Sequence, residues 1–297
     1  MIIKMKFNGQ IVTAHVTDHN EKEVFAQYDG VTLAIDRKEL AALPEIGSEL
    51  EGFAYENKHG EARLTTKLPK VGRDHYAFAP VVEVRRDLGV FVDIGLPDKD
   101  IVVSEDQLPE LNRLWPQRGD RLMIALTTDK KDRLWGNLAD ETIIRAVANR
   151  AKPDQMNADV TATAYRLKMA GTRVLTDDFY LGFIHPSQRD VEPRLGQVLH
   201  ARVIGVSDQG ELNLSLKPRA YQAIGDDAAM ILAVLQHDPA GKIAYTDKSD
   251  PDAIKQVFGI SKGAFKRALG HLLKAGLIKE EAGYTILLKT NGNASQE

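Results

Sequence analysis

One spacing recurs three times along the chain. Pro44-Glu-Ile-Gly47, Pro116-Gln-Arg-Gly119 and Pro193-Arg-Leu-Gly196 share a Pro-x-x-Gly pattern and lie 72 and 77 residues apart. Each opens a strand-like run, a polar turn and a second run. The turns are Glu56-Asn-Lys-His-Gly60, Asp129-Lys-Lys-Asp132 and Ser207-Asp-Gln-Gly210. Proline fixes φ and glycine tolerates positive φ, so the motif suits a chain reversing into an edge. Three matches at near-constant spacing, each with the same sequel, predict three copies of one small unit.

The third copy is the clearest. Val160, Ala162 and Ala164 alternate with polar residues, the period of a half-buried strand. A turn at Met169-Ala-Gly-Thr172 leads to Arg173-Val-Leu-Thr, then to Gly182-Phe-Ile-His-Pro-Ser187. Leu199-His-Ala-Arg-Val-Ile-Gly-Val206 and Leu212-Asn-Leu-Ser-Leu216 complete the set. Five short strands that close on themselves describe a small barrel of the OB type.

The same reading divides the rest of the chain. Residues 1–66 form a first barrel, with strands over 9–16, 23–28 and 31–35. Residues 67–140 form a second. Lys67-Leu-Pro-Lys-Val-Gly72 is its linker, and Leu88-Gly-Val-Phe-Val-Asp-Ile-Gly95 its most distinctive strand. A helical piece from Glu141 to Asn149, with Ile143, Ile144 and Val147 on one side, opens the third unit, residues 141–220.

Beyond Pro218 the apolar period changes from two to about 3.6. Asp226-Asp227 start a helix with Ala228, Ile231, Leu232 and Leu235 inward. Asp250-Pro251 introduces a second, from Asp252 to Phe258. Ser261 caps a third, Lys262 to Lys274, with Phe265, Ala268, Leu269, Leu272 and Leu273 inward and Gly276 ending it. Leu277-Ile278-Lys279 and Tyr284–Leu288 then flank a turn. Three helices and a hairpin over residues 221–290 predict a winged helix. The polar tail, residues 291–297, is expected to be disordered. The fold class is thus multi-domain and mainly β: three small five-stranded barrels followed by an α+β winged helix.

The barrels resemble the S-one repeat, the RNA-binding OB-fold named after the largest protein of the bacterial small ribosomal subunit. That family runs Gly-x-aromatic-Val, then Gly-Leu-x-His-x-Ser, then a final strand ending Leu-Ser. Gly171-Thr-Arg-Val174, Gly182-Phe-Ile-His-Pro-Ser187 and Leu214-Ser215 stand in those places. Three such barrels followed by a winged helix resemble, over essentially the whole chain, the conserved virulence factor B family of bacterial RNA-binding proteins. The resemblance implies an RNA-binding regulator and no enzymatic activity.

It also implies a site of aromatic, histidine and Asp/Arg pair, which is split here between units. The second unit offers Phe91 with Asp129 and Arg133, and its histidine position falls near Val102-Val103. The third offers His185, but Arg173 stands at the aromatic position and Ser207 and Glu211 at the pair. The first offers Phe25, with Asn57 and Glu61 at the pair. Plainer roles compete: Phe91 or Phe25 in a barrel core, His185 on a backbone carbonyl, Asp129 and Arg133 as a solvated pair. Phe25 is expected to act mainly on stability, as a core residue. Tyr165, Arg166, Lys168 and Arg173 add basic and aromatic character, since arginine pairs a phosphate bidentately or lies on a base. In the winged helix Lys262, Lys266, Arg267, His271 and Lys274 lie off the apolar stripe and suit phosphate contact. The competing role there is a solvated helix face.

Composition excludes several classes. No cysteine is present, so thiolate chemistry and cysteine-ligated zinc are out. The sequence lacks a phosphate loop, a dinucleotide-binding glycine pattern and a His-Glu-x-x-His metal motif. No catalytic residue, cofactor or metal is expected. Net charge is −3, which restricts any nucleic-acid site to a local patch. With no signal-like N-terminus and no apolar run of about 18 residues, no membrane partner is expected, and the expected location is the cytoplasm. The leading reading is a monomeric regulator that binds single-stranded RNA across barrels two and three, helped by the winged helix, with no small-molecule substrate. A DNA-binding regulator acting through the winged helix, or a scaffold on ribosomes or polymerase, are the alternatives.

Overall fold

In a computed structural model the described residues are 5–217 and 225–288. They fall into two compact units that divide at Leu216. Pro218, the ends of the predicted first barrel and winged helix, and the predicted disordered tail lie outside the described residues.

The first unit is three closed five-stranded barrels in a row. Barrel one comprises β1 (Gln10–His19), β2 (Glu23–Tyr28), β3 (Val31–Asp36), β4 (Glu49–Glu56) and β5 (Ala62–Thr65). Barrel two comprises β6 (Ala77–Arg85), β7 (Gly89–Val92), β8 (Ile101–Ser104), β9 (Arg121–Thr128) and β10 (Leu134–Leu138). Helix α1 (Glu141–Val147) precedes barrel three: β11 (Asp159–Lys168), β12 (Gly171–Thr176), β13 (Leu181–Ile184), β14 (Val198–Val206) and β15 (Leu212–Ser215). All three share one strand order, first-second-third-fifth-fourth, with third and fifth parallel.

The Pro-x-x-Gly repeat has one structural meaning in all three barrels. Its glycine adopts positive φ: 89° at Gly47, 92° at Gly119 and 78° at Gly196. That glycine donates its N–H to a first-strand carbonyl, Val16 (2.7 Å), Val81 (2.9 Å) or Ala164 (2.7 Å). The same first-strand residue donates back to the residue after the glycine, Ser48 (2.8 Å), Asp120 (2.7 Å) or Gln197 (3.0 Å). One position further along, each first strand is bulged: pairing with the second strand skips Thr17, Val82 and Tyr165. A bulge bends and over-twists its strand, which allows so short a sheet to close.

The polar turns also match. Asn57, Asp129 and Ser207 each donate a backbone N–H to the carbonyl four residues on. The left-handed position belongs to Gly60 (φ 82°), Gly210 (φ 77°) and, in barrel two, Asp132 (φ 59°). Aspartate is among the few non-glycine residues that adopt this conformation readily.

Barrels two and three meet through their repeat turns. Arg121 N–H donates to the Gly196 carbonyl at 2.9 Å, and Arg194 holds Asp120 through two bonds of 3.1 Å. Helix α1 is wedged at the same junction. Its Ile144 is fully buried with Met123, Leu175 and Leu181. The helix ends earlier than Asn149, and Val147, expected inward, is exposed because one turn beyond Ile144 the helix has left the junction. Barrels one and two share a continuous core in which Phe53 and Tyr55 pack with barrel-two residues. The Tyr55 hydroxyl donates to Asp98 at 2.8 Å, and burial together with that bond pushes its ionisation well above the ordinary tyrosine range.

The second unit is the winged helix. It contains α2 (Asp226–His237), β16 (Lys242–Ile243), α3 (Pro251–Phe258), α4 (Lys262–Lys274), β17 (Ile278–Glu281) and β18 (Tyr284–Leu287). Asp250 caps α3 by accepting from Asp252 and Ala253, and Ser261 caps α4 by accepting from Ala264. The expected inward residues of α2 are all buried, and so are those of α4 except Leu273, which is 42% exposed at the edge of the stripe. Strand β16 is absent from the sequence reading; at two residues it is too short to show a period, yet it pairs with β18. No helix among the described residues is long and apolar enough to cross a membrane.

Two glycines of the same motif test this geometry. A Cβ on Gly47 meets nothing within 4 Å, whereas one on Gly196 lies 2.9 Å from the Arg121 carbonyl oxygen and 2.9 Å from a Leu122 methyl. Gly47→Ala should cost about 1–2 kcal/mol, the left-handed penalty alone. Gly196→Ala should cost about 1–3 kcal/mol more, because barrels two and three must separate slightly. Thermal melts of the two variants check this; equal losses would contradict the junction.

Candidate functional site

Strand register aligns one row of outward side chains across each barrel. The row runs from the first strand through the second and third to the fifth. In barrel one it is Asp18, Phe25, Ala34 and Arg63. In barrel two it is Glu83, Phe91, Val102 and Trp135. In barrel three it is Arg166, Arg173, Phe183 and Asn213. Each row begins on the residue after the bulge, so the repeat motif that bends the first strand also sets where the row starts.

Phe25, Phe91 and Arg173 therefore do occupy one equivalent position. Alternation decides which way they face. Val24 and Ala26 are fully buried around Phe25, and Val90 and Val92 around Phe91, while both rings are half-buried. The core role expected for Phe25 is overturned: it stands on the outer face of β2. Phe91 likewise lies outside the barrel core.

The histidine position also moves. Asp36 and Ser104 end the third strand and His185 directly follows it, and each caps the short 3₁₀ turn after it, accepting from Lys38, Asp106 and Ser187 respectively. Barrel two thus carries Ser104 there, not Val102-Val103. His185 accepts the Ser187 N–H at 3.2 Å and hydrogen-bonds the Ser187 hydroxyl at 2.8 Å, so it organises its own turn while remaining exposed. Its ring lies 6.5 Å from that of Phe183, edge to face.

In barrel two, Asp129 accepts from the backbone N–H groups of Lys131 (2.8 Å) and Arg133 (3.0 Å) and from Arg133 Nε (2.8 Å). Desolvation pushes its carboxyl up, but these donors outweigh it and hold the group at about 2. The pair therefore fixes the turn, and Arg133 lies 5.8 Å from the Trp135 ring centroid. Trp135 Nε1 is covered and meets no hydrogen-bond acceptor among the described residues. Phe91, Val102, Trp135 and Arg133 make a partly exposed strip with a ring on either side of Val102.

Barrel three is cationic where barrel two is aromatic. Arg166, Lys168 and Arg173 converge on Glu141, the first residue of α1. Partial burial pushes the Glu141 carboxyl up, but Arg173, Arg145, Lys168 and Arg166 together hold it below the ordinary glutamate range. Tyr165 is the bulge residue and packs into the junction with Ile144, not onto the outer row, and burial pushes the pKa of its hydroxyl up.

Sequence reading missed Trp135 and Phe183. The signal was present in the alternation of Leu134-Trp135-Gly136 and Gly182-Phe183-Ile184, where the flanking residues are buried. In the winged helix Lys266, Arg267, His271 and Lys274 are exposed and Lys262 is half-buried. Lys266 pairs with Asp247 at 3.4 Å. Gly263 and Gly270 lie among these cations and leave that face of α4 low.

Three barrels of this strand order joined to a winged helix define a tandem S1-type protein. Family models match in the same layout: S1 domain over residues 8–67, CvfB first S1-like domain over 76–137, Virulence regulatory factor CvfB second domain over 144–218 and CvfB-like winged helix domain over 229–287. The chain belongs to the conserved virulence factor B family. It is 42% identical over 247 residues to Conserved virulence factor B of Staphylococcus epidermidis, covering 82% of each chain. It is 40% identical over 278 residues to the uncharacterized protein YitL of Bacillus subtilis, covering 93% of this chain and 92% of that one. A crystal structure of a multidomain protein with nucleic acid binding domains from Streptococcus pneumoniae is similar at 46% identity and TM-score 0.72, covering 96% and 99%.

The outward placement of Phe91 gives a direct check. Phe91→Ala should change stability by about 1 kcal/mol or less, because no core contact is lost. Ile101→Ala, at a fully buried position of the adjacent β8, should cost about 2–5 kcal/mol. Denaturant titrations that rank the two the other way would return Phe91 to the core.

Proposed function

We propose that the protein is a non-enzymatic, monomeric, cytoplasmic regulator that binds single-stranded RNA across the outer rows of barrels two and three, with phosphate contacts from α4 of the winged helix. The observation that carries this reading is the register-matched row itself. Phe91, Trp135 and Phe183 are half-exposed rings held on rigid strands at positions that recur between barrels. Aromatic platforms on a small barrel take bases in sequence-tolerant stacking, each worth about 1–3 kcal/mol. The adjoining cations Arg133, Arg166, Lys168 and Arg173 suit the backbone phosphates. The family models and the nucleic acid binding domains of the similar streptococcal protein support the same class of ligand.

A second reading, duplex DNA held by the winged helix, draws on one observation: the exposed cations of α4 flank two glycines, which permits close approach to a phosphate backbone. It lacks any role for the aromatic rows.

Titration of labelled single-stranded RNA, single-stranded DNA and duplex DNA across a salt series separates the two. Single-stranded RNA should bind more tightly than duplex DNA, with affinity falling as salt rises. Phe91→Ala and Trp135→Ala should each cost about 1–3 kcal/mol of binding, roughly fivefold to 150-fold in affinity. Lys266→Ala combined with Arg267→Ala should weaken binding modestly and flatten the salt slope by about one unit or more. RNA should stay intact in Mg²⁺ or Mn²⁺. Equal or tighter duplex binding would promote the winged-helix reading instead.

A further inference from the structure

The carboxylate at the start of α1 sits where the cations of barrel three converge. Asp140 caps the helix by accepting from Ile143 at 2.9 Å, which fixes Glu141 in the first turn. From there Glu141 Oε2 lies 2.9 Å from Arg166 and 3.6 Å from Lys168. Its Oε1 lies 3.3 Å from Arg145 and 3.6 Å from Arg173. Glu211 closes the cluster, 2.9 Å from Arg145 and 3.8 Å from Arg173. Four cations thus share two carboxylates, and two of those cations, Arg166 and Arg173, are half of the outward row of barrel three.

Several donors from separate strands around one oxyanion form the arrangement that also recognises a phosphate. We propose that Glu141 is an internal stand-in for phosphate: it occupies the anion position of barrel three and must be displaced before a nucleic-acid phosphate can enter. This rests on the single-stranded RNA reading above.

Two features make the exchange feasible. Helix α1 does not need Glu141 to stay in place, because Ile144 anchors it in the apolar junction. The ion pairs are also solvent-accessible, with the arginine and lysine side chains 25–48% exposed, a setting in which individual pairs contribute little. A phosphodiester arriving with neighbouring bases stacked on Phe183 and the barrel-two rings brings binding energy that a lone carboxylate lacks. Barrel three is consequently held closed to isolated anions and opened by a strand that is also engaged elsewhere.

The test uses the full chain and a labelled oligouridine. Glu141→Gln should bind roughly threefold to tenfold more tightly than the natural sequence, with a salt slope steeper by about 0.7, one further phosphate contact on a single strand. Glu45→Gln, the same charge change at an exposed position of barrel one, should leave affinity within about twofold. Unchanged or weaker binding by a folded Glu141→Gln protein, or an equal gain from Glu45→Gln, overturns the proposal. Should Glu141→Gln not fold, Glu141→Asp keeps the charge but withdraws it by one methylene; it should shift affinity in the same direction, and no shift overturns the proposal. The natural chain in the same titration reports on the RNA reading separately. If it prefers single-stranded RNA and the Glu141 variants match it, only the gating idea fails. If neither it nor the variants bind RNA, both readings fail; binding that appears only in the variant supports the gate.

Discussion

The structure depends on a reciprocal pair of backbone hydrogen bonds made three times. A first-strand residue, Val16, Val81 or Ala164, gives its N–H and its carbonyl to the turn that ends in Gly47, Gly119 or Gly196. Proline pre-sets the entry to that turn, and glycine supplies the positive φ that aims its N–H back at the strand. Because both polar groups of the first-strand residue are committed there, the residue after it is left out of the pairing with the second strand and bulges. Barrel closure, the bulge and the starting point of the outward row are therefore one event. In barrel three the same glycine also accepts from Arg121 of barrel two, so the motif that closes one barrel docks it on its neighbour.

Much of this was legible in the sequence, for identifiable reasons. Pro-x-x-Gly is visible because only those residue types meet its backbone demands. The inward faces of α2 and α4 followed from their spacing. The match of Phe25, Phe91 and Arg173 followed from the shared pattern, and the register bears it out. What could not be read was direction. Phe25 was expected in the core because a large apolar residue in a strand gains about 1.5–3 kcal/mol by burial, yet its neighbours Val24 and Ala26 take the inward places. The histidine position in barrel two, expected near Val102-Val103, falls on the next residue, Ser104, because the loop before β8 differs in length from its counterparts; the capping role shared by Asp36, Ser104 and His185 locates it. Trp135 joins its row only through pairing with β8, a strand distant in sequence, whereas Phe183 pairs with the neighbouring β12 and its outward place shows only in the alternation with the buried Gly182 and Ile184.

The three barrels keep one backbone plan and vary what it displays. Barrel one shows Asp18 and an Arg63 already paired with Glu23; barrel two shows rings; barrel three shows cations held by a helix that belongs to no barrel. Division of this kind explains how a chain with net charge −3 can present a local surface for a polyanion. Barrel three is the unit that sets an outward ring, Phe183, beside an exposed histidine, His185, and the cations Arg166 and Arg173, while the rings of barrel two lie across the junction that holds α1.

The claim that RNA lies on the outer rows of barrels two and three is tested most directly by photocrosslinking. RNA carrying thiouridine would be crosslinked to the intact protein and the modified peptides sequenced. Crosslinks should concentrate on the peptides of β7, β10 and β13, at Phe91, Trp135 and Phe183. Crosslinks confined to barrel one, or to α4 of the winged helix, would contradict it.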